Sequence, residues 1–451
     1  MRPMPILRLP FLFLAVCGLF ASPLLTAEKL SATQLIELAK TGSSELGTGV
    51  KDTFRSGDLQ AGTAWAGQGS QFFFALESED RPLLVIDDFR PKPMQRFPSS
   101  LLWYAVADVE PVGRLHQFHY LVNGATRGGS LDLPAFGPES YPLPHTPTGT
   151  LSDKIVHTSK VYDGMKTDYW IYVPAQYDPK TPAAVMVFQD GKAYIDREGT
   201  NPALNVIDNL IAAKKIPVMI CIFVEPGDIS SAPGTATFAF VKGHSERWHR
   251  TLRDAMRSTE YDTVSDRYAR FLRDEVLAEV GVHYNLRQDG YSHAIAGASS
   301  GGICSFNAAW QMPQEFSRVL SWIGSFTNIQ WKEDPAVPDG GQDYPDKILR
   351  EPRRNLRVWL QDGSNDLSFP WWGDWPIANI RMANSLKTRH YDFHFSFGTG
   401  THNGAQGAVE FPEEMIWLWR GYDPTITQQE FVEDPEELAK PYYKVRLASR
   451  P

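Results

Sequence analysis

The chain has 451 residues, with 44 lysines and arginines against 53 aspartates and glutamates, a formal charge of −9 and 12% aromatic side chains. This acidic balance argues against nucleic acid and anionic membrane surfaces as partners. The length is sufficient for two domains with complete cores, and three cysteines are too few for a disulfide framework.

The first 27 residues combine a basic start (Arg2, Arg8), a short apolar run from Leu9 to Ala21 and small residues up to Ala27. That is the pattern of a secretory signal peptide, too short and too broken by Pro10 and Pro23 to span a bilayer. It implies an exported protein, periplasmic or secreted. A lipid anchor through Cys17 is the lesser reading, since Val16 before the cysteine fits poorly. Removing 1–27 takes away two arginines and no acids, leaving 42 basic against 53 acidic side chains and a charge of −11. No later stretch approaches the ~20 apolar residues of a helical span, so no integral membrane segment is expected after processing.

Residues 28–134 read as a small all-β sandwich, of immunoglobulin or E-set type, entered through a helix. Ser31-Ala32-Thr33-Gln34 is a capping-box start for a helix over 31–40. Short β-like runs then follow at 71–76, 83–86, 101–106 and 117–122, separated by prolines, glycines and charges. In the last, Phe118, Tyr120 and Val122 share one face, and the strand ends at an Asn123-Gly124 turn. Residues 135–150, rich in proline and glycine, read as a linker.

From 151 to 423 strands alternate with helices, which predicts a mostly parallel central sheet covered on both faces. Ala183 to Gly191 and Val218 to Val224 are near-continuous apolar strands of the fully buried kind. Helices are expected over 205–213, 264–280, 376–388 and 413–419, and strands at 169–174, 294–296, 316–323, 356–361 and 391–397. Residues 226–262 are polar and irregular, suited to a loop over a site. Residues 424–451 read as a surface tail. Cys221, in a strand, and Cys304, on a helix, are expected as buried free thiols, a single bridge between them being the alternative.

The chemistry centres on Gly297-Ala298-Ser299-Ser300-Gly301, which joins an apolar strand to a helix. A G-x-S-x-G sequence in that setting is a nucleophile elbow, with Ser299 at the tip of the turn and glycines where a Cβ would collide. A serine needs a base, and the base needs an orienting acid. Downstream of Ser299 stand His390, His394 and His402. His402 is selected because it lies in a glycine-rich loop after the last strand, whereas the other two precede or lie within that strand. The strand at 356–361 runs into Asp362-Gly363-Ser364-Asn365-Asp366, which offers two carboxylates. Asp366 has the reach to meet a histidine from the neighbouring loop; Asp362 is the alternative and suits capping its own turn. The oxyanion donors are expected from the Ser300 amide and from Gly191 or Lys192, in the loop after the strand at 185–189. Trp371, Trp372 and Trp375 suggest an aromatic floor for sugar or phenolic rings, although tryptophans also fill cores and helix starts.

Together, Val187-Phe188-Gln189-Asp190-Gly191, Ala296 to Gly302, Gln361 to Asp366 and Gly400-Thr401-His402 resemble the Putative esterase family of α/β-hydrolases, which includes esterase D and enterochelin esterase-like proteins. The resemblance covers about 150–423. It is nearest to the enterochelin-esterase-like branch, whose members carry a β-sandwich before the hydrolase domain. It implies a serine ester hydrolase with Ser299, Asp366 and His402 as triad and Ser300 with Lys192 as oxyanion donors, requiring no cofactor. The substrate would be a small-molecule or oligosaccharide ester: carbohydrate-linked, phenolic or siderophore. No cluster of basic residues for a charged iron–catecholate is apparent around the motifs. The competing reading is a catalytically inactive, hydrolase-like carbohydrate-binding protein. No metal is expected: His244/His249 and His116/His119 lack matching ligands and read as exposed polar surface.

Overall fold

The computed structural model describes residues 29–228, 252–329 and 340–445. The leader, His244, His249 and most of the polar stretch after 226 lie outside them. From 252 onward that stretch is a helix, Leu252–Tyr261, and not a loop.

Helix Ala32–Thr41 opens with the capping box at Ser31 and closes on Gly42 in the left-handed conformation. Helices Leu46–Thr53 and Ser56–Ala61 follow. Two four-stranded sheets come next, in the strand orders 64–68, 71–77, 102–108, 95–96 and 92–93, 83–86, 114–122, 125–135. Phe72, Phe74, Leu84, Trp103, Phe118 and Leu133 pack between the sheets. On the outer side of the first sheet, Phe73, Ala75 and Tyr104 pack against Leu35, Ile36 and Val50 of the helices. The run Phe72 to Leu76 is therefore apolar at every position because both faces of its strand are covered. Strand Arg114–Val122, exposed on one face, alternates instead.

Asn123 and Gly124, both at positive φ, turn that strand into Ala125–Ala135. The sequence reading had no strand there. Its partner pairing jumps twice, between Phe118 and Tyr120 and between His116 and Phe118, where three residues of the longer strand oppose two. Gly128 and Gly129 (φ 57° and 105°) occupy the first jump, and a Cβ on Gly129 would lie 2.0 Å from the Phe118 carbonyl oxygen. His116, expected as exposed surface, is buried with its ring between Asp87 and the Pro111 carbonyl.

The segment read as a linker is held. Asn209 Nδ2 donates to the Glu139 and Tyr141 carbonyls at 2.8 Å, and Asn205 Nδ2 to the Ser140 carbonyl at 3.1 Å.

The large sheet has nine strands in the spatial order 155–158, 166–173, 219–224, 184–189, 293–298, 318–322, 357–363, 392–398, with 150–151 beside 166–173. From 219–224 to 392–398 all neighbours run parallel, and the first edge is antiparallel. Along each inner strand, side chains alternate between two cores. Val185, Val187 and Ile295 face helices that include Ser300–Gln311 and Trp375–Thr388, in the packing that holds Cys304. Met186, Phe188 and Ala296 face Ala203–Ala212 and Ala405–Leu418, in the packing that holds Cys221. Both cysteines are buried free thiols.

The strand order reverses at 184–189, whose successor 219–224 lies on one side and 293–298 on the other. The crevice beyond the carboxyl ends at such a reversal is where open α/β sheets hold ligands. The closing helix, expected over 413–419, spans Ala405–Leu418 and begins directly behind His402. The C-terminal stretch is no free tail: Phe431 (1% exposed) and Glu437 (0%) are buried, and Glu437 accepts from Tyr443 and Lys440.

Candidate active site

Ser299 sits between strand His293–Ala298 and helix Ser300–Gln311 with φ 59° and ψ −121°. This is strained backbone for a residue with a Cβ, of the kind that clusters at functional sites. Its amide donates to the Trp322 carbonyl (2.9 Å), and its carbonyl accepts from Ser325 (3.0 Å) and Gly302 (2.9 Å). The glycines are dictated by space. A Cβ on Gly297 would lie 2.5 Å from the backbone of Gly301, and one on Gly302 would lie 2.7 Å from Ser321 Oγ.

His402 meets Ser299. Its Nε2 lies 2.7 Å from Ser299 Oγ and its Nδ1 2.5 Å from Asp366 Oδ1. The Asp366 carboxylate is fully buried and the His402 ring 18% exposed, so the chain opens to solvent at the serine end. Asp366 Oδ1 also accepts from the Leu367 amide (2.5 Å). Asp366 Oδ2 is buried with no donor among the described residues while both carboxylates are ionised. Asp362, the alternative acid, lies beneath, fully buried, accepting from the Gly363 amide (2.7 Å) and Asn379 Nδ2 (2.8 Å). Burial first, then the hydrogen bond and charge of Asp366, push Asp362 well above the ordinary carboxylate range. His390 pairs with Glu433 on the surface, and His394 stacks on Trp359; neither approaches the serine by any hydrogen bond.

Two residues absent from the sequence reading complete this group. Ser325 Oγ lies 3.2 Å from Ser299 Oγ and accepts from Trp375 Nε1 at 3.0 Å. An indole only donates, so the Ser325 proton is left free to point at Ser299. Ser325 follows the strand next to the elbow strand, and that carboxyl-end position was the one available signal. Arg257, from the helix after 252, grips Asp190 with Nε and Nη2 (2.8 and 2.6 Å) and reaches the Ala298 carbonyl (3.3 Å), tying the 190–192 loop to the elbow. Nothing in the sequence signals that pairing.

The loop expected to supply an oxyanion amide departs from that expectation at Lys192, whose amide donates to Glu225 Oε1 at 2.9 Å. Gly191 opens the short 3₁₀ turn Gly191–Tyr194, where an amide has no partner within the turn. Its missing Cβ leaves room for the backbone of Phe223, 2.3 Å from where that atom would stand. Ser300 holds the equivalent first-turn position of the elbow helix.

The tryptophans divide. Trp371, 59% exposed, and Trp372 cluster with Phe369 on the hairpin 368–374. Trp375 is 2% exposed and packs edge-on against His402, with ring centres 5.5 Å apart. It supports the imidazole from behind, and its burial removes it from any floor presented to a ligand. Among the described residues, no group of three or more His, Cys, Asp or Glu is arranged to hold a metal, and no helix is long and apolar enough to cross a membrane.

Residues 162–418, more than half of the chain, match the family model described as "Putative esterase". No curated protein matches the chain. Among solved structures, the enterobactin esterase FES of Shigella flexneri in the presence of enterobactin aligns at TM-score 0.52 and 15% identity, over 84% of this chain and 99% of that one. The ferric enterobactin esterase of Salmonella typhimurium aligns at 0.49 and 14%, over 79% and 96%. A ferulic acid esterase of Anaeromyces mucronatus aligns at 0.46 and 14%, over 64% and 98%. The chain therefore belongs to the Putative esterase family, carboxylic-ester hydrolases built on the α/β-hydrolase fold.

Proposed function

We propose that the chain is an exported serine esterase acting through an acyl-enzyme, with Ser299 as nucleophile, His402 as base and acid, and Asp366 as orienting carboxylate. The observation that carries this reading is the continuous chain Ser299 Oγ–His402–Asp366, at 2.7 and 2.5 Å, on three loops distant in sequence. With Nδ1–H donated to Asp366, Nε2 is left as the acceptor for the serine proton. Ser299 Oγ attacks the ester carbonyl as its proton passes to His402 Nε2. The first-turn amides of Ser300 and Gly191 receive the oxyanion, aided by the positive end of the elbow helix. His402 then protonates the leaving alcohol, and water admitted at the open serine end releases the acid. Ser325, fixed as donor by Trp375, hydrogen-bonds Ser299 Oγ as charge develops on it.

The substrate we propose is a carbohydrate-linked, phenolic or siderophore ester, whose ring would lie against the Phe369–Trp371–Trp372 cluster, of which Trp371 is exposed. Ser299→Ala tests the mechanism: p-nitrophenyl acetate turnover should fall at least ~10³-fold in a folded protein, and fluorophosphonate labelling should vanish. Undiminished turnover removes the assignment, and a wild-type protein that never labels favours the sugar-binding alternative. Export rests on the pattern of residues 1–27, and the mass of the mature protein from its native host checks it.

A further inference from the structure

Asp132 belongs to the sandwich, yet all three of its side-chain contacts with the hydrolase domain fall on the histidine loop. Asp132 Oδ1 accepts from the Thr401 amide (2.9 Å), and Oδ2 accepts from Thr401 Oγ1 (2.5 Å) and Asn403 Nδ2 (2.8 Å). Thr401 and Asn403 are the residues on either side of His402, so one carboxylate holds the backbone before the imidazole and the side chain after it. Asn403 passes the restraint on, its Oδ1 accepting from Ala405 at the start of the following helix (2.9 Å). Leu115, on the paired strand, closes against Gly400: a Cβ there would lie 3.2 Å from Leu115 Cδ2.

The loop needs an outside anchor. Gly398, Gly400 and Gly404 stand within seven residues, and glycine loses more freedom on ordering than any other residue. Apart from those of the His402 ring itself, with Ser299, Asp366 and Trp375, the loop's side-chain anchors within its own domain, Asn365 Nδ2 to the Thr399 carbonyl (2.7 Å) and the Gly400 amide to Gln406 Oε1 (3.3 Å), lie before Thr401. The sandwich delivers Asp132 from an irregular position. Between Ser130 and Leu133 its strand carries one residue more than its partner, a bulge that re-aims a side chain out of the regular alternation.

We infer that Asp132 is a positioning residue for His402, so that the N-terminal sandwich completes the catalytic site of the hydrolase domain. The inference rests on the serine-esterase reading above. A displacement of about 1 Å in a catalytic group lowers turnover by up to ~10²-fold, whereas the groups that hold substrate are on other loops.

Asp132→Ala should lower kcat 10- to 100-fold, with KM within about two-fold of wild type and fluorophosphonate labelling slowed by the same factor as kcat. Thr401→Val should give a smaller loss in the same parameter, and the double variant should be no slower than Asp132→Ala alone. Arg114→Ala is the control, since it removes the exposed interdomain pair with Glu413 (2.8 Å) without touching the loop; it should keep wild-type kcat. Wild-type kcat in Asp132→Ala, or an equal loss in Arg114→Ala, overturns the inference. If Asp132→Ala does not fold, Thr401→Val tests the same contact from the hydrolase side, and wild-type kcat there overturns it. The two readings fail separately: full activity in Ser299→Ala sinks the esterase mechanism, whereas normal kcat in Asp132→Ala alongside a dead Ser299→Ala sinks only the role of the sandwich.

Discussion

The Ser299 turn and the His402 loop are built on opposite plans. Ser299 is fixed by its immediate neighbours: a strand that can enter only one way, glycines that admit close backbone approach, and a helix that starts at the next residue. Its geometry is stored as local strain at φ 59°. The histidine loop stores nothing of the kind. Its three glycines leave it unconstrained, and its order is borrowed: from Asp366 and Trp375 within the domain, and from Asp132 in the sandwich. One half of the hydrogen-bonded Ser299–His402 pair is thus specified by about ten consecutive residues, the other by side chains hundreds of positions apart.

The contrast can be tested. The largest effect is expected from removing both ends of the pair: Ser299→Ala/His402→Ala should be no slower than either single variant, each down at least ~10³-fold, because the two act as one unit. Additive losses would mean they work separately. Next, Ser325→Ala and Trp375→Phe should each lower kcat about 10-fold, of the order of one charged hydrogen bond, and their double variant should match Ser325→Ala if the indole acts through the hydroxyl. Should Trp375→Phe stay fully active while Ser325→Ala falls, the indole is only packing. Trp371→Ala should raise KM for aromatic esters about 2- to 10-fold, the worth of one ring contact, with kcat unchanged. The smallest effect concerns Asp362. Its carboxyl ionises near ~3.9 in an unfolded chain and well above that when folded, so its contribution to stability is complete below that pH and is lost as pH rises through the folded value. Asp362→Asn has no such proton to lose. Its melting temperature relative to wild type should climb between pH 4 and 8, by no more than about 2 °C per kcal/mol gained in a chain of this size. A difference that does not change with pH would show Asp362 ionised in the folded state.

What could be read from the chain follows the same division. The elbow, the doubly buried strands at 184–189 and 219–224, and the acid and histidine beyond the carboxyl ends of the last two strands are all local patterns with a physical cause. The Lys192 amide misled because its partner, Glu225, comes from a neighbouring strand, and no loop pattern announces that pairing. Strand Ala125–Ala135 was hidden by Gly128-Gly129 and Pro134, residues that weaken strand patterns and here accommodate the bulges. The start of helix Ala405–Leu418 was obscured by Gly407 and Pro412 within it. The C-terminal stretch reads as polar because its buried Glu437 is charged, paired there with the partly exposed Lys440. Trp375 was found for the wrong purpose: the pattern showed an aromatic near the acid, but only the fold puts it behind the imidazole.

The two thiols, one on each side of the central sheet, have a practical consequence. They cannot join without the sheet coming apart, so folding calls for no oxidant and the native state should be indifferent to reductant. Burial pushes both thiols up, Cys304 well above its usual range, leaving neither reactive in the native fold. An aromatic disulfide reagent added to the intact protein would therefore report the rate at which the sheet opens, a clock for unfolding that needs no engineered label.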